Sequence, residues 1–479
     1  MSIKLIKLDD YRWLIPKTGA MHVPGLIFSD STLIKTLKKD QSLTQIVNVA
    51  TLPGIVGHAL AMPDVHWGYG FPIGGVAAFD LDEGIISPGG VGYDINCGCR
   101  LMTTHLTADE VRPEIKDLVT ALFKNIPAGV GSTGRIHLSK KDEAKVATQG
   151  ASWAVKNGFG DPEDLVMTED HGTMAGADPS ILSDRAIHRG KDQLGTLGSG
   201  NHFLEIQVVD QIYDRVKAEV FGLHEGRITI FIHSGSRGFG YQICDDFLKE
   251  IGQLALKKKL ELPDRQLAFA RIKSEAGRRY IAAMACAANY AWANRQILMH
   301  WARETFLECL SVSPENLGLK LVYDVCHNIA KQELHTIEGK QIMVCVHRKG
   351  ATRSLPPEHP LLPEIYQSVG QPVLIPGDMG TYSYVLAGAE GAMTQSFGSS
   401  CHGAGRLLSR TQATKMAKGR SIRAELEAKG IYVQSRGKRT LKEEMPEAYK
   451  DVSQVVEAVH GPGLASKVAR LRPLGVIKG

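Results

Sequence analysis

The chain has no apolar run long enough to cross a membrane: its most apolar stretch, residues 280–288, is interrupted by Asn289 and Arg295, short of the ~18 continuous apolar residues that a span requires. It opens with neither a secretory nor a transit signal, because MSIKLIKLDDYRW alternates apolar with charged residues and carries Asp9 and Asp10. A cytoplasmic protein with no membrane partner is the expectation. Cysteine is scarce, eight in 479 residues, and only Cys97 and Cys99 stand close together. That excludes a disulfide scaffold and leaves thiol or metal chemistry. No repeat, low-complexity tract or Pro/Ser-rich linker divides the chain. Also missing are a G-x-x-x-x-G-K-[S/T] phosphate loop, the K-x-D-G signature of lysine-nucleotidylating ligases, paired C-x-x-C units and an RNP-type aromatic motif. Their absence excludes several common nucleotide-, zinc- and RNA-binding modules.

What is present is the composition of a soluble globule, 43% hydrophobic and 22% charged, which argues against disorder. The length allows one large elaborated domain. β-Branched runs at 45–51, 228–233, 319–326, 342–346 and 372–375, bounded by Gly, Pro or polar clusters, predict buried strands. Helical periodicity is strongest over 264–310, with further stretches near 109–124, 141–156, 242–260, 405–428 and 451–459. The reading is a single α+β domain over 1–479, with central β-sheets surrounded by helices and a long helical insertion at 264–310.

Glycine is abundant, 50 residues or roughly 10% against a typical ~7%, and many stand beside His, Asp, Ser or Cys. The net charge of +5 is uneven: from His402 onward there are 16 Lys+Arg against 7 Asp+Glu (+9), leaving 40 against 44 (−4) before it. A basic final fifth suits an anionic partner such as nucleic acid or nucleotide. The segment GVGSTG at 129–134 matches G-x-G-x-x-G, but it follows a helical stretch and Pro127 where a dinucleotide site needs a strand, so it reads as an ordinary loop.

The chemistry-bearing residues fall in five glycine-rich segments: GYDINCGCR (92–100), GSGNHFLE (198–205), HSGSRG (233–238), DVCHN (324–328) and SSCHGAGR (399–406). A strand that ends in His and then Ser-Gly or Asn projects an imidazole from a sheet edge, where loops place function. Any one of these histidines alone reads as an ordinary structural residue. Together, a carboxylate, a thiolate and several imidazoles suit a borderline transition metal, with the thiolate able to bridge two ions; zinc and manganese both fit. Such a set would equally serve a two-metal phosphohydrolase or nuclease.

With PDVHWGYGFPIGG (63–75), these segments closely resemble, in order and nearly end to end, the RtcB family of GTP-dependent RNA-splicing ligases. The resemblance implies an RtcB-like α+β fold, GTP and two manganese ions as cofactors, and ligation of RNA 3'-phosphate or 2',3'-cyclic phosphate ends to 5'-hydroxyl ends in tRNA splicing or RNA repair. It leaves an end-activating or capping enzyme as the alternative within the family, and it implies an archease-like activator as a possible partner. By the same resemblance Asp94, Cys97, His202, His233 and His327 are metal ligands, Cys97 bridging, with Asp64 an acidic support. His402 is the histidine that takes GMP; its small neighbours let a phosphate approach, and N–H groups at the start of a following helix can face the anion. The nucleotide pocket would comprise Asn201, His202, Phe203, Leu204, Glu205, His327, Asn328, Pro376, Gly377, Asp378, Met379, Ser383, His402, Gly403, Ala404, Gly405 and Lys478. Asp378 stands where the family's P-G-x-M-G-T loop carries Ser or Thr, which puts a hydroxyl contact to the nucleotide in doubt. Arg189, Lys349 and Arg410 fall where the family places basic groups near RNA phosphates.

Overall fold

The structure is a computed structural model that describes residues 3–479. Two large sheets carry the fold. The first runs, in spatial order, Ile6–Lys7, Arg12–Ile15, Gly25–Phe28, Ile55–His66, Ile73–Asp80, Lys340–Lys349 and Asn328–Ile337. The second runs Lys320–Cys326, Gly98–Thr107, Arg227–Ser234, Phe203–Ile212, Ala465–Lys478, Ser383–Gly388 and Pro372–Ile375, with Tyr432–Ser435 pairing in parallel to Ala465–Lys478. His327 is the one residue between Lys320–Cys326 of the second sheet and Asn328–Ile337 of the first, so the chain passes from sheet to sheet there. Between the sheets, Leu60, Val76 and Val344 from the first and Val373, Leu386 and Ala465 from the second share one apolar cluster with the helix Val452–His460.

Alternation explains why the second sheet is buried on both faces. In FLEIQVVDQI, Leu204, Ile206 and Val208 pack with Ile228, Ile230 and Ile232 of the neighbouring strand, while Phe203, Glu205 and Gln207 point the other way, as the two-residue period requires. The helical stretch expected within 264–310 contains one 36-residue helix, Glu275–Leu310, started by Ser274, whose hydroxyl accepts from Gly277 N at 3.1 Å. It is buried all round from Ala283 to Met299, the signature of a core helix. Its buried polar groups anchor the loops of the second sheet. Arg295 donates to both carboxylate oxygens of Asp324, each at 2.8 Å, and to the carbonyls of Asn96 at 2.7 Å and Ser234 at 3.1 Å.

Two local readings change, and that of 129–134 does not. Residues 45–51 are not a strand: Ser42–Val49 is a helix whose Leu43, Ile46 and Val49 are buried at three-residue spacing, and this period overrides the β-branched composition. The stretch 405–428 resolves into two short helices, Arg410–Met416 and Ile422–Glu427. The segment 129–134 is a loop, with Gly129 N bonded to Gly198 O at 2.7 Å. No helix among the described residues is long and apolar enough to cross a membrane.

Candidate metal and nucleotide centre

Strand register brings the metal-type residues together. Gly98 pairs with both Ser234 and Cys326, and Cys99 and Phe203 both pair with His233. The loop before Gly98, the loop before Phe203 and the turn after Cys326 therefore meet at one edge of the second sheet. Cys97 Sγ lies 3.3 Å from Nε2 of His202 and 3.3 Å from Nε2 of His233; His233 Nε2 lies 3.2 Å from His327 Nε2; and Asp94 Oδ2 lies 2.8 Å from His202 Nε2. Two overlapping triads, Cys97–His202–His233 and Cys99–His233–His327, each bring three donor atoms within 4.8 Å of one another and so could hold a metal ion. Cys99 enters this set by its place on the strand, but no hydrogen bond ties its sulfur to an imidazole.

The charge states suit cation binding. Burial alone would raise the Asp94 pKa, but His202 and Arg237 hold it down to about 2. Ser236 N donates to Asp94 Oδ1 at 2.9 Å, and a Cβ on Gly235 would sit only 2.4 Å from that oxygen. Burial drives the His202, His233 and His327 pKa values down, keeping their rings neutral with lone pairs available. Burial, reinforced by Asp94, pushes the Cys97 thiol up. His327 Nδ1 is buried without a hydrogen-bond partner. A fixed carboxylate, neutral imidazoles and a thiol awaiting a counter-charge fit a divalent transition metal.

His402 follows the short strand Ser399–Cys401 and faces this cluster, its ring centroid 4.9 Å from that of His327. Asp64, fully buried, accepts through Oδ2 from the His402 backbone N–H at 2.9 Å and meets the ring Nδ1 at 2.5 Å. The remaining nitrogen, Nε2, has no hydrogen-bond partner among the described residues. Gly405 completes the fit, at φ +75 and so close that a Cβ would meet Asp64 O at 2.2 Å. Contrary to the expectation of a helix start beside His402, the next helix begins only at Arg410. Any cradle of N–H groups there belongs to the loop 402–409.

A cavity of about 370 Å³ opens beside His402. Of the residues expected around a nucleotide, Asn201, Phe203, Glu205, His327, Asn328, Pro376, Gly377, Asp378, Met379, Gly403, Ala404, Gly405 and Lys478 line it with His402. Leu204 does not: strand alternation turns its side chain into the core. His202 stands behind the wall at the metal cluster, and Ser383 Oγ instead accepts from Gln207 Nε2 at 3.0 Å. Asp378 is folded onto its own loop, accepting from Gly380 N at 2.8 Å and Thr381 Oγ1 at 2.7 Å. Burial lifts the Glu205 pKa to about 8, opposed by Lys478, whose own pKa burial lowers.

Lys349 and Arg410 line the cavity. Lys349 is buried, with Nζ donating to Tyr69 O at 2.5 Å and Phe71 O at 3.1 Å, and its pKa is pulled by burial to about 7. Arg410 is 59% exposed at the mouth. Arg189 lies outside the lining, its guanidinium 5.6 Å from the ring of Tyr241, which stacks on the cavity residue Tyr93. Sequence reading missed Arg406, Glu444 and Tyr449, which form a network on the cavity wall around the buried Glu444, in which Arg406 Nη1 donates to Glu444 at 2.8 Å and Tyr449 OH donates to the same carboxylate. It also missed Arg237, 3.1 Å from His202 Nδ1. Arg237 and Arg406 are the arginines of HSGSRG and SSCHGAGR, so the motifs already held the signal.

A family model described as tRNA-splicing ligase RtcB matches residues 45–479. A Thermococcus kodakarensis protein named tRNA-splicing ligase RtcB is 54% identical over 478 residues, 100% of this chain and 99% of the relative. An Archaeoglobus fulgidus protein of the same name is 52% identical over 477 residues, 99% of each chain. A Mycobacterium bovis protein named RNA-splicing ligase RtcB is 53% identical over 438 residues, 91% of this chain and 100% of the relative.

Proposed function

Because this chain belongs to the RtcB family of tRNA-splicing ligases, we propose that it joins RNA 3'-phosphate or 2',3'-cyclic phosphate ends to 5'-hydroxyl ends, with GTP as energy source and a covalent GMP on His402. The observation that carries the nucleotide step is the Asp64–His402 pair. With Asp64 Oδ2 2.5 Å from Nδ1, the ring keeps its proton on Nδ1 and presents the Nε2 lone pair toward the cavity. A two-cation phosphohydrolase has no use for such an oriented, unpartnered nucleophile.

The residues that would hold divalent cations, manganese by family resemblance and zinc by donor type, are Asp94, Cys97, His202, His233 and His327. Bound there, such ions would offset charge on phosphate oxygens. The chain's own residues do the rest. His402 Nε2 attacks the α-phosphorus of GTP; an N–P bond forms as the bond to pyrophosphate breaks. A 3'-phosphate, produced by hydrolysis where the end is cyclic, then attacks that phosphorus through an oxygen, and the N–P electron pair returns to Nε2. The RNA end is now a diphosphate-linked guanylate. The 5'-hydroxyl attacks the RNA phosphorus, loses its proton and expels GMP. Lys478 and Glu205 face the nucleotide, and Arg410 meets RNA phosphates at the mouth.

Incubating the protein with α-labelled GTP and manganese tests this reading. Label should remain on the denatured chain, within the peptide that contains His402. Absence of a covalent label under conditions that support end joining would sink the covalent step.

The two basic residues should separate by readout. Arg410→Ala should weaken RNA binding and flatten its log-log salt dependence by ~0.7 for one lost single-strand phosphate contact, with GTP labelling nearly unchanged. Lys478→Ala should impair GTP labelling first and leave the salt slope alone. Identical responses in the two variants would contradict this division.

A further inference from the structure

The segment 63–71, which runs from the end of the strand Ile55–His66 that carries Asp64 into the turn after it, is held by two buried lysines. Lys349 grips its far part, at Tyr69 O and Phe71 O. Lys450, 6% exposed, grips its start: Nζ donates to Pro63 O at 3.0 Å and to Val65 O at 2.5 Å, the carbonyls on either side of Asp64. The backbone N–H of Lys450 also donates to Gly405 O at 2.9 Å. One residue thus ties together the strand bearing the carboxylate and the loop bearing the histidine.

Packing alone does not call for an ammonium there, since an apolar side chain of the same length would fill the space without the cost of burying a charge. What the position contains is a fully buried Asp64 whose Oδ1 has no hydrogen-bond partner, and Asp64 is the foremost negative charge acting on Lys450. We propose that Lys450 is a positioning residue for guanylylation: it fixes the two peptide groups around Asp64, ties that strand to the loop bearing His402, and places a positive charge beside the carboxylate that is aimed at His402 Nδ1.

The proposal rests on the covalent-guanylate reading. Wild-type protein that forms no guanylate on His402 removes both. Wild-type labelling together with unchanged labelling in a Lys450 variant removes only this one.

The test is Lys450→Met, which keeps the length and loses the charge. The rate of His402 labelling at saturating GTP should fall ~100-fold, the scale of a sub-ångström to 1 Å misplacement of a catalytic group. The half-saturating GTP concentration should move by less than about three-fold, because the lost interaction acts in the reaction and not in binding. Sealing of RNA that already carries the 3'-guanylate, measured on the same preparation, should stay within about three-fold, as that substrate enters after the histidine's step. In an Asp64→Asn background the further change to Met should cost less than about three-fold, the non-additivity expected of residues acting through one another. Lys450→Gln, which retains an N–H donor for the carbonyls without the charge, guards against a Met variant that does not fold. It should lose about ten-fold in labelling rate, between the wild type and a fully misplaced group. Native labelling rates in either variant, equal loss of labelling and sealing, or full additivity with Asp64→Asn would overturn the proposal.

Discussion

His402→Ala is expected to abolish covalent labelling by GTP and the joining of ordinary 3'-phosphate ends, while RNA supplied with a preformed 3'-guanylate is still sealed. Alanine offers no lone pair at the point where Nε2 faces the cavity, and no other imidazole is oriented by the Asp64 carboxylate. His202, His233 and His327 are engaged with one another and with Cys97 at 3.2–3.3 Å, and His66, which also lines the cavity, has its Nδ1 on the backbone carbonyl of Asp64 at 2.9 Å. The loss should therefore reach the assay floor. Undiminished labelling in the variant would remove His402 from the chemistry, and loss of sealing of preformed guanylate as well would show that the ring also shapes the metal cluster beside it.

The second large effect concerns the sulfur at the centre. Cys97→Ser should strip most metal from the folded protein, whereas Cys99→Ser should leave occupancy close to wild type, each read by elemental analysis against a thermal-unfolding control. Cys97 Sγ lies 3.3 Å from Nε2 of both His202 and His233, so a metal held by those imidazoles would have its thiolate within reach, and a serine hydroxyl is a poor replacement for a thiolate. Cys99 shares a triad with His233 and His327 by proximity, yet it is fully buried and packs against Phe203, Phe231 and Val325. Equal metal loss in the two variants would mean that Cys99 is a ligand after all.

The clustering of Asp94, Cys97, His202, His233 and His327 was legible because each stands in its own glycine-rich segment at a strand end, and strand pairing then left little freedom in how they meet. The strand at 372–375 was legible from its bounded β-branched run. Ser42–Val49 was not, since Ile46, Val47 and Val49 look like a strand until the three-residue spacing of its buried side chains is weighed. That the Leu204 side chain packs in the core was hidden by taking a motif as a block: in a strand every second side chain belongs to the other face. Lys349 was named only as a basic group near RNA phosphates and Lys450 was not named, for a different reason. Their partners are backbone carbonyls of the distant segment 63–71, and carbonyls leave no trace in residue identity. Asp378 was flagged as unusual, but that its carboxylate closes its own turn became visible only with the loop's conformation.

One feature of the second sheet bears on how the molecule comes to exist. The strand Ala465–Lys478 lies in the interior of that sheet, bonded on one side to Phe203–Ile212 and on the other to Ser383–Gly388. Every other strand of the sheet precedes it in synthesis. Without it, Tyr432–Ser435 has no partner in the sheet and the remaining strands fall into two unjoined groups, whose facing edges, Phe203–Ile212 and Ser383–Gly388, are ten and six residues long. Such edges are templates for pairing between chains, and long-range pairing of this kind is slow to form. The nascent chain is thus most prone to aggregate just before its closing strand inserts, and a substitution that weakens that strand would reduce the yield of folded protein before it altered any property of the finished site.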